Sequence, residues 1–353
     1  MSRIAVRMTI LSILSLSMLS RAQDKSVTEI SGFVDLYYAY SWNRPPGHDR
    51  AFTTQPLRHN ETNVNLAFLS VRREDESVRG RFALQTGTYV ESNTAAEPPL
   101  LKHILEASVG TRLGKGVWVD AGIFPSHIGL EGIVSKDNWT YSRSLLADYS
   151  PYYESGVSIT GAFSDNLTLR GLILNGWQNI NETNSSKAVG TQLQYHSSEA
   201  VLLNWSTFCG NEAPDSSARQ LRIFNDLGAQ INLSRVLGIA AVFDIGVQEK
   251  ASGTGYDVWH AASLIARYVV DSHWTAAGRV EYYMDRNGVI APTGTPGNFQ
   301  VVSGSVNIDV APASSVLWRA EVRQYFSKDP LYPGTSGPLK SETCFVISVA
   351  ATL

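Results

Sequence analysis

From residue 23 onward the chain alternates polar and apolar side chains in segments of roughly ten residues, most plainly in Val34-Asp35-Leu36-Tyr37-Tyr38, Arg279-Val280-Glu281-Tyr282-Tyr283-Met284-Asp285, Ser303-Gly304-Ser305-Val306-Asn307-Ile308-Asp309-Val310 and Arg319-Ala320-Glu321-Val322-Arg323. Successive side chains of a strand point to opposite faces, so each segment carries one face of charge and one of hydrocarbon. Sixteen such segments can be counted, at about 29–40, 62–73, 78–89, 103–113, 117–126, 154–163, 167–177, 188–196, 201–209, 221–232, 237–249, 256–270, 273–286, 299–311, 315–329 and 344–353. The connections after odd-numbered segments are long and rich in Pro, Gly, Asn and Ser: 41–61, 90–102, 127–153, 178–187, 210–220, 250–255, 287–298 and 330–343. Those after even-numbered segments are short, as in Glu74-Asp75-Glu76-Ser77, Gly114-Lys115-Gly116 and Pro312-Ala313-Ser314. A soluble sandwich shows the same alternation, but its loop lengths do not depend on parity. A barrel threaded through a membrane has short turns on one side and long loops on the other. The pattern therefore predicts an all-β transmembrane antiparallel barrel of about sixteen strands, with both chain ends on the short-turn side. Such a barrel is wider than its own side chains can fill, so an aqueous lumen is expected.

The final segment supports closure. Phe345, Ile347, Val349, Ala351 and Leu353 share one face of a strand that runs to the last residue. In lipid an open sheet edge leaves backbone groups unsatisfied at several kcal/mol each, roughly, so the last strand is expected to pair with the first.

The opening residues set the compartment. Arg3 and Arg7 precede an apolar, Ser-interleaved stretch from Met8 to Leu19, and Ser20-Arg21-Ala22 follows it with small residues. This has the layout of an export signal cleaved after residue 22, leaving 23–353 as one barrel domain. Removing Arg3, Arg7 and Arg21 from the 29 basic residues leaves 26 against 32 acidic ones, a net of −6. No basic excess remains to hold a polyanion, so nucleic acid is not an expected partner. No later stretch reaches 18 consecutive apolar residues, which excludes a helical membrane protein but not a barrel with a wet interior. Cys209 and Cys344 are too few for a disulfide scaffold and fall on segments far apart around the ring, so both are expected as free thiols.

Ser31-Gly32-Phe33-Val34-Asp35-Leu36-Tyr37-Tyr38-Ala39-Tyr40 with Asn43-Arg44-Pro45, Asn63-Val64-Asn65-Leu66, Asp120-Ala121-Gly122-Ile123-Phe124 with Gly129 and Glu131, Asn138-Trp139-Thr140-Tyr141-Ser142-Arg143-Ser144-Leu145 through Pro151-Tyr152-Tyr153 to Gly156-Val157, and Asn175-Gly176-Trp177 resemble the outer-membrane porins of the OmpL-like type. The likeness covers nearly the whole chain after residue 22 and is strongest over 31–177. Its motifs are loose patterns of Gly, Asn and aromatics. The resemblance implies a channel in the outer membrane of a Gram-negative cell envelope and an inward-folded third outer loop. Such barrels usually close on an aromatic, whereas this chain ends in Leu353.

Parity assigns one face of each strand to the lumen. Pore-lining candidates are Asp35, Arg81, Glu106, Arg279, Glu281, Arg319, Glu321 and Arg323, because a guanidinium or ammonium facing lipid at midplane costs about 2–4 kcal/mol. On this assignment, arginine in place of Val280 should block insertion, and arginine in place of Glu281 should be tolerated. The long connection 127–153 supplies further candidates in Glu131, Lys136, Trp139, Tyr141, Arg143 and Asp148, and its load of rings suits packing against a wall better than projection into solvent. A place outside the barrel, as an external lid or adhesion loop, stays open on the sequence alone. Aromatics near strand ends, among them Tyr38, Tyr40, Trp118, Trp177, Trp205, Trp274, Tyr282, Trp318 and Phe326, suggest interfacial girdles.

Gly-x-Ser-x-Gly, His-Glu-x-x-His, the P-loop and Cys-x-x-Cys are all missing, so no catalytic residues, cofactor or metal site are expected. The pattern points to passive diffusion of small hydrophilic solutes through a barrel seated in outer-membrane lipid. Two other readings stand beside it: a structural or adhesive barrel presenting surface loops, and a soluble secreted β protein binding carbohydrate. Homo-oligomerisation stays open.

Overall fold

The computed structural model describes residues 26–197, 200–252 and 254–353. The export signal expected over 1–22 lies outside the described residues. Sixteen strands run through the described part: β1 Val27–Ser41, β2 Thr62–Glu74, β3 Val78–Thr86, β4 Ile104–Gly114, β5 Val117–Pro125, β6 Tyr153–Ala162, β7 Leu167–Leu174, β8 Ala188–Ser197, β9 Val201–Asn211, β10 Leu221–Asn232, β11 Leu237–Glu249, β12 Tyr256–Val269, β13 Trp274–Asp285, β14 Phe299–Ala313, β15 Val316–Ser327 and β16 Ser341–Thr352. Each pairs antiparallel with its sequence neighbours, and β16 returns to β1 to close the barrel. At the closure Tyr40 faces Phe345 and Asp35 faces Ala350, and Leu353 exchanges both backbone hydrogen bonds with Gly32 (2.8 and 3.1 Å). The start of β1 and the end of β16 sit at the rim of short turns.

The two faces separate as the alternation requires. Val280 is 61% exposed on the outside while Glu281 beside it is 4% exposed inside, and Val306 and Asn307 differ in the same way, at 64% and 0%. A two-residue period thus sends hydrocarbon to the lipid side and polar groups inward.

Two strands end earlier than their apolar patterns suggest. β3 stops at Thr86 because Gly87, at a φ of 130°, brings the chain so close to β2 that a Cβ there would lie 2.3 Å from Asn65 O. A short helix, α1 (Thr88–Asn93), follows and buries Tyr89 and Val90. β7 stops at Leu174, and Trp177 turns into the barrel, edge-on to Phe208 and Phe224 at 4.9 Å. The girdle expectation is corrected at two positions: Trp118 is buried beneath Arg79 and Arg112 on the lumen side, and Trp177 is inside. Trp205, Trp274, Trp318 and Phe326 do face outward, each nearly half exposed or more.

A packed apolar cluster occupies part of the long-loop half of the lumen. Phe208, Phe224, Trp259, Tyr283, Phe299 and Tyr325 project inward from the strands and pack with Leu145, Leu146 and Tyr332 from the loops. Trp259 lies flat across Gly246 on the neighbouring strand, where a Cβ would come within 2.0 Å of its ring. Gly246→Ala should therefore displace the indole and lower the midpoint of heat-induced barrel opening, by roughly 1–3 kcal/mol of overpacking strain. Gly278→Ala, whose nearest neighbour would be 3.8 Å away, should leave the midpoint unchanged on the same heated gel.

Candidate functional site

The connection between β5 and β6, residues 126–152, lies inside the barrel. A loop there meets little water, so its backbone groups need partners from the wall. The inward faces of β13, β14 and β15 supply them. Tyr141 N donates to Asn307 Oδ1 (3.2 Å), Ser142 N to Glu321 Oε2 (2.6 Å) and Leu145 N to Glu281 Oε2 (2.6 Å). In the opposite sense Arg279 Nη1 donates to Ser142 O (2.6 Å), Arg323 Nη1 to Arg143 O (2.7 Å), and Arg319 to Ser135 O and to Asn138 O, the latter at 2.9 Å. The wall charges also pair with one another: Arg323 with Glu281 at 2.5 Å, Arg279 with Glu281 at 3.3 Å, Arg279 with Glu321 at 3.4 Å and Arg319 with Asp309 at 2.7 Å. Three guanidiniums balance three carboxylates, and Glu131 of the loop adds a fourth carboxylate 3.6 Å from Arg279. Burial still pushes the Glu131 carboxyl above its ordinary range. Buried charge is tolerated only when it is closely paired, and removing one partner costs far more than the pair contributes.

The loop's own fold is local. Ser144 caps a one-turn helix, α2 (Leu145–Asp148), its Oγ accepting from Ala147 N at 3.3 Å. Arg143, just before it, is fully buried between the rings of Tyr89 (4.5 Å) and Tyr152 (4.1 Å). Thr54 from the β1–β2 connection accepts from Arg143 Nη2 (2.9 Å) and donates to Asp148 Oδ1 (2.6 Å). That connection, 42–61, also folds inward, where Arg50 is buried against Glu342 at 2.9 Å and Phe52 packs on Phe299. Two long loops thus interlock over the barrel's centre.

The hinge of the inward loop is fixed as well. His127 Nε2 donates to Thr207 O (2.8 Å), and Nδ1 lies 2.8 Å from Glu154 Oε1, both side chains fully buried. Position 190 has room for the imidazole only because it is glycine, since a Cβ would be 2.7 Å from the ring. Gly129 N then donates to Asp226 Oδ1 at 3.3 Å.

With the loop docked on β13–β15, open polar volume lies on the opposite side. One cavity of about 440 Å³ is lined by Arg79, Arg81, Glu106, Asp120, Arg170 and Gln192 among others from β2 to β8, toward the short turns. A second, of about 270 Å³, shares Arg81, Glu106, Pro125 and Ser126 with it and runs up to Glu131, Asp137 and Tyr152 on the loop. Arg79 pairs with Asp120 (2.5 Å) across Gly110, where a Cβ would lie 2.1 Å from the carboxylate, and Arg81 pairs with Glu106 (3.0 Å).

The sequence candidates therefore divide. Arg279, Glu281, Arg319, Glu321 and Arg323 come together, but as the socket of the loop and not as an open water surface, each 4% exposed or less. Tyr141, Arg143 and Asp148 are sealed within the packed loop, Trp139 lies under Arg267 (4.4 Å), and Lys136 is half-buried on a short turn at Ser135–Asp137. Asp35 is buried and accepts from Asn65 Nδ2 at 2.7 Å. Arg81, Glu106 and Glu131 border the cavities. The role of Asn307, Thr54 and the His127–Glu154 pair carried no signal in the sequence, because their partners are distant in the chain. Cys209 and Cys344 are free, as expected.

A family model described as "Putative beta-barrel porin-2, OmpL-like" matches residues 27–353. No protein of curated function matches the chain. Solved structures with the same architecture include an anion-selective porin from Comamonas acidovorans (11% identity, 93% of this chain and 100% of that one, TM-score 0.62). They include also the outer membrane channel DcaP of Acinetobacter baumannii (10%, 93% and 97%, 0.61) and OmpF of Salmonella typhi in complex with daunomycin (12%, 92% and 97%, 0.59). At identities this low the likeness is one of fold.

Proposed function

The chain belongs to the OmpL-like family of β-barrel porins, and from that premise we propose that it forms a channel for passive diffusion of small hydrophilic solutes across a bacterial outer membrane. The observation that carries this reading is a charged cavity on the short-turn side that shares Arg81, Glu106, Pro125 and Ser126 with a second, largely apolar one reaching the edge of the inward loop. A side-chain-lined aqueous path beside an internal loop is the physical requirement for sieving by size and charge. The short-turn rim, which holds both chain ends, faces the periplasm in this reading, and residues 1–22 act as the export signal.

The alternative of a barrel that presents its loops to a partner is less well supported, because 42–61 and 126–152 fold inward and spend their polar groups on the wall. An enzyme is also not favoured. His260, the histidine whose parity points to lipid, has Ile245 and Met284 as its neighbours across the two adjacent strands, and neither is a nucleophile.

Purified barrel in a planar bilayer should give discrete openings, and liposomes carrying it should swell in small sugars and amino acids faster than in larger solutes. A well-inserted barrel that passes no current and no solute at high protein load would sink the channel reading and favour the presenting one.

A further inference from the structure

We propose that the short-turn half of the lumen holds a binding subsite for small organic monocarboxylates, anchored by Arg170. This rests on the channel reading for its place on a permeation path, and on the cavity itself for its chemistry. Arg170 projects from β7 into the cavity of about 440 Å³. Its guanidinium lies over Phe124 at 4.8 Å, and its one hydrogen bond goes from Nη2 to Ser158 Oγ at 3.3 Å. Among the described residues it has no carboxylate at ion-pair distance. A guanidinium offers five N–H donors in a fork that matches a carboxylate, so most of this one's capacity is unused.

The neighbouring charges sharpen the choice of ligand. Asp120 is held by Arg79 through two bonds of 2.6 and 2.5 Å, and Glu106 by Arg81 at 3.0 Å, so neither carboxylate is free to take a cation. Arg72 at the rim is paired with Glu74 at 2.5 Å. Glu154, the carboxylate whose charge acts most strongly on Arg170, is itself paired with His127 at 2.8 Å, so Arg170 keeps no carboxylate in direct contact and suits a monoanion. Thr160, directly across β6 from Arg170, adds a hydroxyl, Gln192 across β8 has its amide nitrogen committed to His127 O and Asn204 Oδ1 (2.7 and 2.9 Å), and Phe124 and Pro125 supply a hydrocarbon wall. That apolar wall favours a carboxylate carrying a hydrocarbon body over a strongly hydrated inorganic anion.

Benzoate is the probe. Added to the wild-type barrel in a planar bilayer with potassium chloride, it should reduce the current with a saturable dependence, whereas benzylammonium and benzyl alcohol should not. Arg170→Gln should weaken the effect by about tenfold or more, the loss expected for a charge-assisted pair, and Arg170→Lys should keep part of it. Equal reduction by benzyl alcohol, or an undiminished benzoate effect in Arg170→Gln, would overturn the proposal. Titration calorimetry of the folded barrel in detergent separates the two readings. Saturable benzoate binding that Arg170→Gln abolishes, in a barrel that passes no current, keeps the subsite and removes only the channel. Current without benzoate binding in either assay keeps the channel and removes the subsite.

Discussion

Excision of residues 133–148, with the strand ends left in place, should raise single-channel conductance several-fold. This segment carries Tyr141, Arg143, α2 and every backbone group that Arg279, Glu281, Asn307, Glu321, Arg319 and Arg323 engage across the lumen. A constriction narrower than the barrel dominates the series resistance of the path, so its removal opens the stretch that limits the current. The wall charges left behind gain water in place of the loop, which keeps them solvated and the barrel assembled. Conductance measured in planar bilayers checks this. A deletion that inserts normally with conductance unchanged would mean that ions do not pass beside the loop at all.

Val280→Arg and Glu281→Arg should both be damaging, and in different ways. At Val280 the guanidinium enters lipid, at about 2–4 kcal/mol near midplane, and insertion should fail. At Glu281 it enters the lumen between Arg279 and Arg323, removing the acceptor of Leu145 N and placing three guanidiniums together. Breaking a buried, hydrogen-bonded pair costs about 3–5 kcal/mol, enough to release the loop from its socket. Glu281→Arg should therefore still reach the membrane as a barrel, with a lowered opening midpoint on heated gels and a conductance shifted toward that of the loop deletion. The tolerance expected from parity alone is corrected here, because an inward position is not the same as a wet one. Wild-type midpoint and conductance in Glu281→Arg would show that the clasp contributes nothing. The same reasoning applies to Arg143→Glu: buried between Tyr89 and Tyr152, Arg143 is a packing cation, and its reversal should unpack the interlocked loops rather than act on ion selectivity alone.

What the candidate site owed to the sequence can be followed residue by residue. Arg279, Glu281, Arg319, Glu321 and Arg323 are legible as inward-facing because a two-residue period admits only two faces and lipid excludes charge from one of them. The period carries no information about whether the other face meets water or protein. Arg81 and Glu106 look the same in sequence as Arg323 and Glu281, yet the first pair borders a cavity and the second is buried under a loop. Trp118 and Trp177 fit the girdle pattern for a similar reason: an aromatic near a strand end suits either side, and only contact with Arg79 or Phe208 decides.

The sequence by itself determined the barrel: sixteen strands, antiparallel order, the side of each loop and the lipid-facing surface. Each of these follows from short-range rules, since strand period, turn length and the exclusion of charge from hydrocarbon act within a strand and its immediate neighbours. The tertiary structure alone decided that 126–152 docks on β13–β15 rather than elsewhere, that 42–61 interlocks with it through Thr54, and that polar volume remains along β2–β8. Those outcomes depend on hydrogen bonds such as Arg279 to Ser142, 137 positions apart, and Arg319 to Ser135, 184 apart. Closing the barrel brings these residues within reach, and nothing in the local pattern of either segment specifies the other.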